Sequence, residues 1–478
     1  MAEQFLHGVE LIEVQSGPRP IRTVKSSVIG IVGTAPDAEP ARAASATIGG
    51  LIFTAKEPGI AGNQVSVALV DPGENSASLS VDTEGSRVAV SLATNEEGEI
   101  TTTEAQVATA LTANDLVAAS ASGAGAAIVN PTPSRLLSGG ADEAFPIGRP
   151  TLIAGSRQEA ARLGETGTLP SAIDAIFDQV GAAVVVVRVE EDNDIEGTVT
   201  DVIGEDGIQA LIGAESILGV SPRILIAPGF SDRQEVAGEL LAVANRLRAV
   251  VIADGPNTTD AEAVSHAGDY GSDRLYIVDP SVKVFRAGAV VFEPASPRVA
   301  GLIALSDNER GFWWSPSNQE VRGILGTTRP IDFTFGDPNS RANLLNEANV
   351  ATIIRQDGYR LWGNRTTSSD PKFAFLSVRR TADMINDSIL RGHLWAVDRN
   401  ITKTYLEDVS ESVNAYLAGL KNQGAILGGR CWPDPDLNSP ANIAQGKVYV
   451  NFEFTPPYPA EHITFKSIIV NDYLEELV

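Results

Sequence analysis

Between residues 145 and 300 the chain alternates wholly apolar runs with amphipathic stretches of helical period, and few folds accept that pattern. AAVVVVRV (182–189) offers no polar residue before Arg188, so a strand there must be covered on both faces. RILIAPG (223–229) and AVVIADGP (249–256) repeat the signal. Ahead of the first lies LPSAIDAIFDQVG, which sets Ile173, Ile176, Phe177 and Val180 on one helical face and stops at Gly181, and between the last two lies SDRQEVAGELLAVANRL. SRQE (156–159) has the form of a capping box. Doubly buried strands alternating with helices specify a layered α/β domain with a largely parallel sheet.

The rest of the chain is organised around this domain. SSVIGIVGTAP (26–36) reads as another buried strand, and TLIAGSRQEAARLG (151–164) as its natural continuation. The block between, 46–140, changes character: Ala, Ser, Thr, Val and Gly dominate, and Trp and Tyr are absent. Short runs such as GLIFTA, QVSVALV, SLSVDT and RVAVSLA recur between turn residues, which predicts a small inserted β-sandwich or barrel with one Thr-capped helix, TTEAQVATALTA. Residues 1–25 read as an arm: GVELIEV is strand-like, and Pro18 and Pro20 in SGPRP separate it from the buried strand at 26–36. After 301 the pattern mixes both types. TADMINDSILRGHLW and TKTYLEDVSESVNAYLAGLKNQG read as helices, the second with a stripe of Tyr405, Leu406, Val409, Val413, Tyr416, Leu417 and Leu420. KVYVNFEFT (447–455) alternates strictly, and HITFKSIIV comes after it as a terminal strand-like run. The expected fold is thus multidomain α+β/α/β. It comprises an arm (1–25), an α/β middle domain (26–45 with 141–300), an inserted β-rich domain (46–140), a mixed α/β C-terminal domain (301–460) and a terminal arm (461–478).

Most chemistries lack their residues. No G-x-G-x-x-G follows a strand and no G-x-x-x-x-G-K-[ST] occurs; RILIAPG ends in the single Gly229, a tight turn. His7, His266, His393 and His462 are scattered, so no zinc spacing exists. Cys431, the single cysteine, reads as a small packed residue. EEDNDIE (190–196) lacks the turn glycine and distal Glu of a calcium loop. No catalytic, cofactor or metal residue is nominated. A net charge of −25 over 478 residues argues against nonspecific nucleic-acid binding. No run approaches the ~20 apolar residues that span a bilayer, and the first residues carry no secretory signal. One region departs from the general charge: 341–403 holds 10 basic and 6 acidic residues, which suggests a basic surface for an acidic partner.

The segment 297–366 carries a specific order of motifs. PRVAGLIALSDNERGFWWSPSN is followed by a Gly-rich stretch, then NLLNEANVATIIRQDGYRLWGNRT. Together with the opening FLHGVELIEVQSGPRPIRTVKSSVIGIVGTAP, this order resembles the contractile tail sheath proteins of myovirus-type phages, with Asp307, Arg310, Trp313, Trp314, Asn318 and Trp362 in the motif core. The resemblance implies a structural subunit, not an enzyme. It would polymerise as stacked rings around a tail tube, meet baseplate and tail terminator proteins, and shorten to drive the tube through a host envelope. It implies no cofactor, no nucleic acid and no membrane insertion, assembly in the host bacterial cytoplasm, and a final place in the virion tail. It implies terminal arms that add strands to neighbouring subunits, here Val9, Leu11, Ile12 and Val14 at one end and Ile463, Phe465, Ile468 and Val470 at the other. The family's C-terminal domain lies against the tube, so Arg379, Arg380 and Arg391, on or at the start of a helix whose Met384, Ile385, Ile389 and Leu390 would pack inward, are the expected tube-facing cations. The insertion would decorate the exterior. A sheath of a bacteriocin or injection system fits the same sequence. A cofactor-dependent enzyme on the α/β domain, or an adhesin built on the β-rich block, are the competing classes.

Overall fold

A computed structural model of the protein describes residues 20–121 and 123–473. Val9, Leu11, Ile12 and Val14 lie outside the described residues. The chain forms two compact units. The smaller comprises Pro36–Pro146 with Ala161–Glu165; the larger holds the remainder.

The larger unit is built on an eight-stranded sheet. Its strands are β1 (Ile29–Thr34), β2 (Thr151–Ala154), β3 (Ala183–Val189), β4 (Ile224–Ile226), β5 (Val250–Asp254), β6 (Leu275–Val278), β7 (Val350–Arg355) and β8 (Tyr359–Trp362). Their spatial order is β8-β7-β6-β5-β4-β1-β3-β2. The six central strands run parallel, and β2 and β8 close the two edges antiparallel. TLIA, the next strand of this sheet along the chain after β1, is an edge strand beside β3.

Both faces of the sheet are covered, which accounts for the unbroken apolar runs. Val185 and Val187 of β3, Leu225 of β4 and Val251 of β5 share one core with Val236, Leu240 and Val243 of α2 (Gln234–Leu247). Val184, Val186, Ile224 and Ile252 point the other way and are equally buried. On that face lie α1 (Leu169–Phe177) and α3 (Ser296–Arg310), packed on each other.

Two expected boundaries move. The C-terminal domain does not begin at 301, because α3 belongs to the sheet's second face and β7 and β8 complete the sheet itself. VATIIR is buried along nearly its whole length, as a further parallel strand must be. The arm does not extend to 25: Ile21 is buried among Phe312, Met384 and Ile385, and the Val24 N–H donates to Ser388 Oγ at 3.1 Å.

Toward the C-terminus the larger unit adds a layer of helices with an antiparallel strand pair. They are α4 (Leu376–Gly392), α5 (Lys403–Gln423), and the antiparallel pair β9 (Gly428–Pro433) and β10 (Val450–Thr455). Thr402 caps α5 and Gly424, at φ +80°, ends it. Val413, Tyr416, Leu417 and Leu420 pack on Cys431, Phe452 and Phe454, so the predicted stripe and the predicted alternation meet each other. Met384 and Ile385 are buried as expected, but Leu390 is exposed.

The smaller unit has two sheets around one core. Strands 45–48, 51–55 and 117–121 form one, and 66–70, 80–84, 87–91 and 132–136 the other. Leu51, Phe53, Val67, Leu69, Val88 and Val90 fill the space between, with Val107 and Leu111 from the capped helix and the turn after it. The unit is wider than 46–140 because its entering and leaving segments pair with each other, Arg42 with Ala141 and Ser45 with Ser138. DAEPARAASA has no strand periodicity that would show this.

Candidate interaction surfaces

An arginine stands immediately ahead of β4 and of β6, and another two residues ahead of β5, and α4 answers them with aspartates. Arg223 pairs with Asp387, and Arg248 reaches the same carboxylate at 3.3 Å. Arg274 grips Asp383 with two bonds of 2.6 and 2.9 Å, and also bonds Asn245 and the Ala249 carbonyl. Asp383 and Asp387 are one helical turn apart, so one face of α4 is bolted to the amino ends of the parallel strands. Burial of both partners makes each bond strong only while its mate remains.

This seam corrects the expected tube-facing cations. Arg380 is buried and holds Asp307 through two bonds of 2.7 and 2.6 Å. Arg379 is mostly buried and divided between Asp273 and Asp383, each at 2.9 Å. Arg391 is half exposed but bound to Glu215 and Asp387. Those bonds hold the Glu215 carboxyl below its ordinary range and raise the Arg391 guanidinium above its own. The local excess of positive charge is largely consumed inside the subunit.

The motif residues are likewise structural. Asp307, on α3, is the buried partner of Arg380. Arg310 donates to Ser306 Oγ at 2.8 Å and to the Ser315 carbonyl at 3.2 Å, and lies over the Trp314 ring at 5.2 Å. Trp313 packs edge-on to Phe312 against the helical layer, whereas Trp314 is half exposed. Asn318 adopts φ +60°, which asparagine tolerates, and its N–H donates to the Leu361 carbonyl at 2.6 Å. Trp362 sits edge-to-face with Phe333 at 4.8 Å. They tie α3, β8 and α4 together.

At the carboxyl ends of the parallel strands, where α/β sheets usually bind ligands, the polar groups of β1 and β5 are bonded to protein side chains. β1 has β3 on one side and β4 on the other, so the strand order reverses there. At that point the Thr34 N–H donates to Thr168 Oγ1 and the Thr168 N–H to Thr34 Oγ1, at 3.1 and 3.2 Å. Two strands away, at the end of β5, buried Asp254 accepts from the Ser296 N–H at 2.8 Å, from Ser296 Oγ at 2.5 Å and from Ser231 Oγ at 3.2 Å. Burial pushes the Asp254 carboxyl up to about 6, against the pull of the Ser296 bonds. Among the described residues no group of acidic, His or Cys side chains is placed to hold a metal ion.

Open polar backbone lies instead on the hairpin. Among the described residues β9 and β10 form a two-stranded sheet with no third strand. A single side chain from α5 covers part of the β9 edge: the Cys431 N–H donates to Asn414 Oδ1 at 2.7 Å, and Asn414 Nδ2 donates to the Cys431 carbonyl at 3.0 Å. Beyond β10, Tyr458 packs on Phe375, and Glu461 forms a forked ion pair with Arg365, closest at 2.6 Å. From there Ile463–Val470 forms no strand and is exposed, Phe465 at 91% and Ile469 at 95%. The sequence marks this run but not Asn414, whose spacing within the α5 stripe is ordinary. The strand-leading arginines are legible as R-I-L-I, R-A-V-V-I and R-L-Y-I.

Three family models match the chain: the phage tail sheath protein central domain over 177–367, the phage tail sheath C-terminal domain over 368–469, and the N-terminal region of tail sheath protein Gp18 domain III over 136–189. A prophage major tail sheath protein of Pseudomonas aeruginosa is 47% identical over 69% of this chain and 88% of its own length. The tail sheath protein of Burkholderia phage BcepMu is 32% identical over 99% of this chain and 98% of its own, so it has a counterpart of the smaller unit. The contracted helical sheath of the anti-feeding prophage shares the fold, with a TM-score of 0.55 at 22% identity over 68% of this chain and 89% of that one.

Proposed function

The chain belongs to the phage tail sheath family, and from that premise we propose that it is the polymerising subunit of a contractile tail, joined to its neighbours by strands lent from the chain termini. The observation that carries the joining is the pairing of opposites in one subunit: an exposed apolar run, Ile463–Val470, and a two-stranded sheet with an unfilled edge. Strand addition satisfies both, since backbone hydrogen bonds supply the link. An open edge is otherwise an aggregation hazard. GVELIEV at the other terminus supplies the second strand of the joint.

The larger unit contributes a rigid body and terminal ties. The arginine seam fixes the helical layer to the sheet, so the large displacements of contraction fall in the terminal segments, where the prolines of SGPRP and PPYP interrupt pairing. Strand contacts persist while bodies rotate, and new body-to-body contacts supply the free energy. The extended form is then held kinetically until triggered. Its partners are further copies of itself, a tail tube, a baseplate and a terminator, and the smaller unit is an outer decoration. The protein works in the virion tail after assembly in the host cytoplasm, without catalysis. Its likeness in fold to the anti-feeding prophage sheath supports a second setting, an injection machine derived from a phage.

Truncation after Pro459 tests the joint. The shortened chain should stay folded, with a melting temperature within about a degree or two of the intact one, and form no tubes in negative-stain microscopy. Normal tubes, or a large loss of monomer stability, would mean that Ile463–Val470 does not link subunits.

A further inference from the structure

Resting on the strand-joining reading above, we infer that the hairpin has one receptive edge only: a strand of Ile463–Val470 from a second copy is admitted along β10, while Asn414 and Pro433 close β9.

A strand residue turns its N–H and C=O to the same side. The Cys431 N–H points at Asn414 and its carbonyl accepts from the same amide, so both groups face away from β10. The Asn414 carboxamide offers one acceptor and one donor at the spacing of a peptide group. It therefore stands where the backbone of an incoming strand would stand. Asn414 is carried on α5, whose Val413 and Leu417 are buried in the core beneath the hairpin, so its position is fixed by packing. Two residues further along β9, Pro433 has no N–H to give. A guest strand on this side would lose the central bond and find no donor beyond it.

The β10 side differs. Val450, Phe452 and Phe454 alternate with the residues that bond β9 and turn their backbone groups outward. Their side chains lie half-buried on the helical layer, with the Phe452 and Phe454 rings 6.3 Å apart and nearly parallel. A guest strand there would extend this apolar face. Ile463, Phe465 and Ile469 share one face of an extended Ile463–Val470 and are among its most exposed side chains. Lys466 would then lie on the opposite face, the side of Glu453. Within its own subunit Ile463–Val470 forms no strand and stays exposed, with the chain ahead of it tied by Glu461 to Arg365 and by Tyr458 to Phe375, so the guest is assigned to a second copy.

Amide hydrogen exchange on the full-length protein, before and after assembly, tests this. In the unassembled chain the Cys431 amide should exchange slowly, and Asn414→Ala should speed it at least tenfold while Asn414→Gln or Asn414→Asp gives intermediate rates. On assembly, protection should rise at Val450, Phe452 and Phe454, with no further gain at Gly429 or Cys431. Gain on β9 instead of β10 would overturn the edge assignment and leave strand joining intact. Gain on neither strand would overturn strand joining, and the assignment with it. If Asn414→Ala fails to fold, the comparison of β9 and β10 in the unaltered protein decides alone. A Cys431 amide that exchanges freely in the unassembled protein would show that Asn414 guards nothing.

Discussion

At the scale of single residues, several of the chain's charges are held in buried pairs. Asp307 and Arg380 illustrate the asymmetry of such a pair. Removing one leaves the other buried and uncompensated, at a cost of roughly 3–5 kcal/mol, whereas removing both in favour of apolar groups costs far less. Asp307→Ala should therefore lower the urea midpoint sharply, and the double variant Asp307→Leu with Arg380→Met should recover most of the loss. A midpoint unmoved by Asp307→Ala would mean the pair is not buried as described. Asp254 gives a pH signature of its own. Its folded carboxyl keeps the proton to about pH 6, while an unfolded one releases it near pH 4. The folded state thus binds the extra proton between those values. This contribution to stability is present below about pH 4 and is lost as pH rises through 6, by roughly 2–3 kcal/mol in all. Asp254→Asn should lack that decline. Urea titrations of both proteins at pH 4, 5, 6 and 7 would show it as converging or diverging midpoints, and parallel curves would refute it.

At the scale of elements, Ile21 and Val24 already belong to the folded body. Truncation through Gly17 should leave the melting temperature of the unassembled subunit unchanged. Truncation through Lys25 removes buried Ile21 and the bond from Val24 to Ser388, and should cost about 1–3 kcal/mol. Equal stability of the two truncations would place the boundary later. What is legible at this scale comes from periodicity. AAVVVVRV, RILIAPG and AVVIADGP became parallel strands because two-sided burial leaves its mark on every residue, and KVYVNFEFT and the α5 stripe found each other for the same reason. VATIIR carries the same mark, but its neighbours GYRLW and NLLNE are short, so its membership of the main sheet is not apparent from sequence. The strand order is not legible at all, since β2 follows β1 in the main sheet's chain order and lies two places from it in space. Arg379, Arg380 and Arg391 defeat sequence reading because charge counts along a chain do not record which carboxylate each cation meets. Their distant partners, Asp273, Asp307 and Glu215, lie 106, 73 and 176 positions away.

At the scale of the whole molecule, the exposed C-terminal run poses a storage problem. Under the proposed strand joining, a subunit that shows Phe465 and Ile469 to water would adhere to its own kind on contact, yet a great many collisions must pass before one happens at a growing tail. The net charge of −25 offers the remedy. Like charges repel over about a Debye length, roughly 8 Å at physiological ionic strength, and far less in molar salt. Free subunits are thus held apart at long range and captured at short range, and the balance is set by the solution and not by the fold. Raising salt from about 0.05 to about 1 M should shorten the lag before spontaneous polymerisation, read by light scattering, and the chain truncated after Pro459 should show no such response. Under that proposal acidity would act as a timer: it would keep the exposed end idle until a template brings subunits close enough for charge to stop mattering.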